Sequence, residues 1–195
     1  MLKRILMSLA VLCAIPLAAQ ADPQPFKYTY LEGGFTSVNP STSAPPSINP
    51  AGSSSSRTGA EIDGSYALNP DWHAIASVTH VSCCGVSQND FSAGVGWNTS
   101  LAENLDLYIN GEVISTDVTG AGTHTGWGVE GGLRAALADH FELDGFVNHS
   151  DVNSVTENTI GVRGLYGIDM FWHLFASYTN NSDEDVFMVG VRYVF

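Results

Sequence analysis

Three short stretches hold residue types that can do chemistry. "NHSD", residues 148–151, sets His149, Ser150 and Asp151 in a row, the types that make a base-activated serine nucleophile for ester hydrolysis. Such a serine needs its base within about 2.6–3.2 Å and an oxyanion site. "GWGVEG", residues 126–131, satisfies G-x-G-x-x-G, a dinucleotide fingerprint only where it follows a strand and opens a helix. "SCCG", residues 82–85, offers two adjacent thiols with only His80 nearby, too few soft ligands for a metal site. A vicinal Cys83–Cys84 disulfide, stiffening a loop in an oxidising compartment, is the expected use of that pair.

Whether any of these can act depends on the elements that carry them. Apolar residues recur at every second position through most of the chain, with Gly and β-branched residues filling the runs, so the elements are strands. Ten are predicted, near 27–37, 58–68, 72–81, 90–99, 105–115, 126–137, 141–150, 159–168, 171–179 and 186–195; eight is the fallback count if a weak hairpin is misread. Adjacent His149 and Ser150 then point to opposite faces of one strand. The glycine pattern lies inside a strand and opens no helix. No catalytic residue, cofactor or metal is expected.

The connections alternate between tight turns, as at Asn69-Pro70-Asp71, and longer loops. Short turns on one side, longer loops on the other and an even strand number mark a single antiparallel transmembrane β-barrel of the bacterial outer membrane. Runs of about 10 to 11 residues suit a tilted strand crossing a bilayer. One face of every strand is free of charge and carries all four tryptophans, Trp72, Trp97, Trp127 and Trp172, near strand ends. Aromatic residues bracketing small and aliphatic ones are what the two membrane interfaces select. The apolar face therefore meets lipid rather than a soluble core.

The opposite face carries the charge. Glu32, Glu61, Asp63, Asp106, Glu112, Glu130, Glu142 and Asp144 share it with Arg134, Arg163 and Arg192. Eight acids against three arginines fit a narrow cation-preferring diffusion channel. A ten-stranded barrel is little wider than an eight-stranded one, whose interior side chains can fill, so an arginine–carboxylate plug is the favoured reading. The matched heights predict Asp106 beside Arg134, Glu32 within reach of Arg192, and Arg163 bonded to Glu142 or Asp144.

Both ends are informative. "MLKRILMSLAVLCAIPLAAQA" has a basic start, an apolar run and a small-x-small site, so residues 1–21 are expected to be a cleaved secretory signal and 22–195 the barrel domain. Residues 39–56, rich in Pro and Ser, are expected to be a mobile extracellular loop. With 7 Lys and Arg against 20 Asp and Glu, the chain lacks the basic stripe a nucleic-acid binder needs.

"MVGVRYVF", residues 188–195, resembles the C-terminal assembly signal of outer-membrane barrel proteins, with Gly190, Tyr193 and Phe195 in the matching places. That resemblance implies recognition by the barrel-assembly machinery. "YTYLEGGF", residues 28–35, is similar to the first strand of a family of small proteobacterial outer-membrane barrels once described as activators of plant immunity and quorum signals. The expected partners are outer-membrane lipid, the assembly machinery and an unidentified extracellular contact. A structural or surface-interaction role comes first, a porin-like channel second, and a lipid-modifying enzyme third.

Overall fold

The computed structural model describes residues 26–40, 56–181 and 183–195. The leader 1–21, and residues 41–55 of the Pro/Ser-rich loop, lie outside the described residues.

Ten strands form one closed antiparallel barrel: β1 (Tyr30–Pro40), β2 (Arg57–Ala67), β3 (Trp72–Cys83), β4 (Val86–Ala102), β5 (Leu105–Val118), β6 (Gly122–Ala138), β7 (Phe141–Val152), β8 (Val155–Gly167), β9 (Trp172–Asn180) and β10 (Glu184–Val194). Each pairs with its sequence neighbours, and β1 closes the sheet by pairing with β10 from Tyr30↔Val194 to Pro40↔Glu184. Closure removes the sheet edge, which in lipid would leave backbone groups unpaired at several kcal/mol each.

The alternation sets which side chain faces where. Phe35, Phe91, Trp127, Leu174 and Phe187 stand on the outer surface, Phe35 with 76% of its area exposed. Glu32, Asp106, Arg134, Asp144 and Arg192 point inward and are buried. Polar inside and apolar outside is the arrangement a bilayer-spanning barrel requires.

The two sets of connections are built differently. The short turns at Asn69 and Asp169 share one design: a side-chain oxygen accepts the backbone N–H groups two and three residues on. Asn69 Oδ1 takes Asp71 and Trp72 at 2.9 and 3.0 Å, and Asp169 Oδ1 takes Phe171 and Trp172 at 2.8 Å each. On the other side much of the longer connections at 82–89, 116–125 and 151–158 is itself strand. β3 and β4 stay paired up to Cys83↔Val86, β5 and β6 up to Val118↔Gly122, and β7 and β8 up to Val152↔Val155. Left-handed residues reverse the chain there: Cys84 and Gly85 in the first hairpin, Asn153 and Ser154 in the third. Paired left-handed residues match the twist of the strands they join. Predicted strand ends fall short on this side because polar residues above the membrane lose the apolar alternation while keeping the ladder.

Candidate functional site

The interior is organised in layers. The lowest is centred on Glu32, the third residue of β1, whose side chain is fully buried. Arg192 of β10 donates from Nε to Glu32 Oε2 at 2.6 Å, and Arg163 of β8 donates from Nη1 to Oε1, also at 2.6 Å. One carboxylate thus holds two guanidinium groups, which stack on neighbouring rings: Arg192 lies 3.9 Å from the centre of Tyr30 and Arg163 lies 5.4 Å from that of Phe175. Beside them Arg134 of β6 donates from Nε to Glu142 of β7 at 2.7 Å.

This corrects the predicted partner of Arg163, which meets neither Glu142 nor Asp144. Asp144 is its register partner across β7 and β8, but the short aspartate stays at the wall. There its carboxylate accepts the Tyr108 hydroxyl at 3.2 Å. The Tyr108 ring reaches it over Gly132, where a Cβ would stand 2.6 Å from the ring. The long arginine instead extends over Phe175 to Glu32. Matching heights on adjoining strands is too strict a rule for a side chain that can cross the lumen. Asp106 does face Arg134 in the ladder, yet its own bonds go to Ser100 and Tyr28, at 2.7 and 3.3 Å.

Several contributors lie outside the charged set read from the sequence. Phe26 and Tyr28 precede β1 and turn into the barrel at its short-turn end. Arg134 stands over both rings, 5.1 and 4.7 Å from their centres. Tyr28 stacks on His73 with ring centres 4.7 Å apart. The His73 ring in turn meets Asn98 Oδ1 at 3.1 Å and Asn110 Oδ1 at 3.0 Å, and Asn110 passes the chain on to Glu130 at 3.2 Å. The signal for His73 in the sequence is only that it sits on the polar parity beside Trp72.

Above this layer lies a chamber of about 280 Å³, lined among others by Glu61, Asp63, Glu112, Glu130 and Arg163. A second polar layer lies at the opposite end from the short turns. Arg57 pairs with Glu184 and donates to Gln88 at 3.0 Å, and Gln88 donates to Asp90.

The other stretches are placed as follows. His149 lies on the outer face against the Trp127 ring, 5.5 Å between centres, and bonds Asn158 at 2.8 Å. Ser150 points to the opposite face, so the two do not meet. "GWGVEG" runs along β6, where a Cβ on Gly126 would stand 2.0 Å from the Asp151 carbonyl oxygen; strand crowding accounts for that glycine. Cys83 and Cys84 form a vicinal disulfide at the β3–β4 tip. At the barrel's end Tyr193 packs edge-on to Trp172 and Phe195, ring centres 4.9 and 4.8 Å apart, and stacks on Phe171. Among the described residues no group of His, Cys, Asp and Glu is placed to hold a metal ion.

A closed barrel with a lipid-facing apolar wall and a charged interior is an outer-membrane protein. The chain belongs to the outer membrane protein beta-barrel domain family, whose pattern matches residues 7–195. Among solved structures it is similar to the KdgM porin, at 12% identity over 85% of this chain and 99% of that one, with a TM-score of 0.51. It is also similar to an outer membrane channel from Pseudomonas putida F1, at 10% identity over 93% and 100%, with a TM-score of 0.53. At such identities the likeness concerns the fold. No curated protein matches the chain.

Proposed function

We propose that this protein is a closed-lumen barrel with a structural or surface-interaction role in the outer membrane, acting through its wall and its outer hairpins. The observation that carries the reading is Glu32, fully buried in the lower lumen and held at 2.6 Å by both Arg163 and Arg192. Charges taken out of water are costly unless paired, and pairing them across the passage also fills it. Arg134 with Glu142 supports the same reading. On this reading the outer hairpin tips at Cys84–Gly85 and Asn153–Ser154 are the surface for an extracellular partner. Gly190, Tyr193 and Phe195 are what the assembly machinery recognises during insertion. The test is solute entry into liposomes carrying the refolded protein. Swelling in small sugars or salts no faster than in empty liposomes is expected, and porin-like swelling would refute the reading.

A second reading is a narrow cation-preferring channel. It is favoured by the chamber, where Glu61, Asp63, Glu112 and Glu130 face Arg163. The KdgM porin has been solved in complex with disordered oligogalacturonate; the acid-lined chamber here argues against a comparable polyanion. A lipid-modifying activity finds no support in His149 and Ser150, which face opposite sides of β7.

A further inference from the structure

We infer that the segment Phe26–Tyr28 is a strap that seals the short-turn mouth of the barrel and can be withdrawn without opening the sheet; this rests on the closed-lumen reading. The ladders of β1 with β10 and with β2 both begin at Tyr30, so the strap lies outside them. Side chains hold it in place. Phe26 is 2% exposed, although it precedes the first strand. The Arg134 guanidinium stands over the Phe26 and Tyr28 rings and donates from Nη1 to the Lys27 carbonyl at 3.4 Å. Tyr28 donates its hydroxyl to Asp106 Oδ2 at 3.3 Å and covers His73, while Ser65 Oγ donates to the Tyr28 carbonyl at 2.7 Å. Thr29 is the hinge. Its carbonyl accepts the Phe195 amide at 3.1 Å and its hydroxyl accepts the Ala67 amide at 3.1 Å. That fixes the chain where it leaves the wall.

The groups beneath the strap belong to the strand ends nearest the short turns: His73 is the second residue of β3 and Asp106 the second of β5. Just inside is a cavity of about 60 Å³ lined by Tyr28, Arg134, Asp144, Arg163 and Arg192, room for a few waters. Tyr28 therefore separates the lower ion-pair layer from the mouth. Withdrawing residues 26–28 exposes His73 and one face of Arg134 while every ladder bond stays made.

The strap is tested in micelles by thiol labelling of His73→Cys, with Cys83→Ser and Cys84→Ser as background, using a charged methanethiosulfonate reagent. Slow labelling is expected with the strap present. Labelling at least tenfold faster is expected when residues 26–28 are deleted, provided the barrel stays folded, as read from a gel migration that changes on heating. Should the deletion fail to assemble, Phe26→Ser with Tyr28→Ser keeps the chain length and takes the same test. Equal slow rates with and without the strap, or with and without its two rings, would overturn the strap and leave the closed lumen standing. Rapid labelling of the intact-strap protein would overturn both.

Discussion

Arg192 and Glu32 are register partners across the seam where the last strand meets the first, and Arg192 Nε donates to Glu32 Oε2 at 2.6 Å. The contact that closes the barrel's circumference is therefore also part of what fills its interior. Sheet closure and lumen closure are joined at one carboxylate, because Glu32 also receives Arg163.

Glu32→Gln should accordingly cost more than the loss of a surface ion pair. It strands two arginines in a buried layer, a loss on the order of 3–5 kcal/mol where the site is dry. The midpoint of the heat-dependent gel shift should fall clearly. Arg57→Gln, on a partly exposed pair in the upper layer, should lower it far less, since such pairs contribute roughly 0–1 kcal/mol. Equal shifts for the two variants would show that the lower layer is wet and weak.

Gly190 has a steric reason to be glycine apart from any recognition role. A Cβ there would stand 2.2 Å from the Gly33 carbonyl oxygen and 2.8 Å from the Phe175 ring. Gly190→Val should destabilise the assembled barrel by roughly 1–3 kcal/mol, as overpacking does, and purified chain refolded in detergent, with no assembly machinery present, should show the same defect. Normal refolding would confine the residue's role to recognition.

Deleting Phe195 removes an aromatic packed on Tyr193 and the amide that bonds Thr29. Assembled protein in the outer membrane should drop far more than on trimming Ser53–Ser56. Equal levels of both variants would count against a role for the terminal aromatic in insertion.

The Asp169 turn should be pH-sensitive where its Asn69 counterpart is not. The backbone N–H groups of Trp172 and Phe171 hold the Asp169 carboxyl below the usual carboxylate range. Because the folded value is the depressed one, the stabilisation is fully present above the unfolded value, about pH 4. It is lost as pH falls through the lower, folded value. Exchange protection of the Phe171 and Trp172 amides should fall on acidification, and Asp169→Asn should abolish that dependence.

The strands were legible because lipid outside and polar groups inside impose a period of two that survives in every run. Arg192 with Glu32 could be anticipated because closure makes them neighbours in the ladder. Arg163 could not, because its partner is chosen by side-chain reach over Phe175 rather than by strand adjacency. Tyr28 reads as a polar-parity strand residue, and nothing in "PFKYTY" says that the chain leaves the ladder before Tyr30. Tyr108 reaches Asp144 only because Gly132 on the next strand leaves space, a relation visible only once register is known.

Single-channel recording in a planar bilayer tests the closed lumen most directly. The intact protein should give no steady conductance steps over a wide voltage range in 1 M salt, roughly the level of protein-free bilayers, because the Glu32 layer blocks the passage. Regular, cation-selective steps from the intact protein would contradict the account and favour the channel.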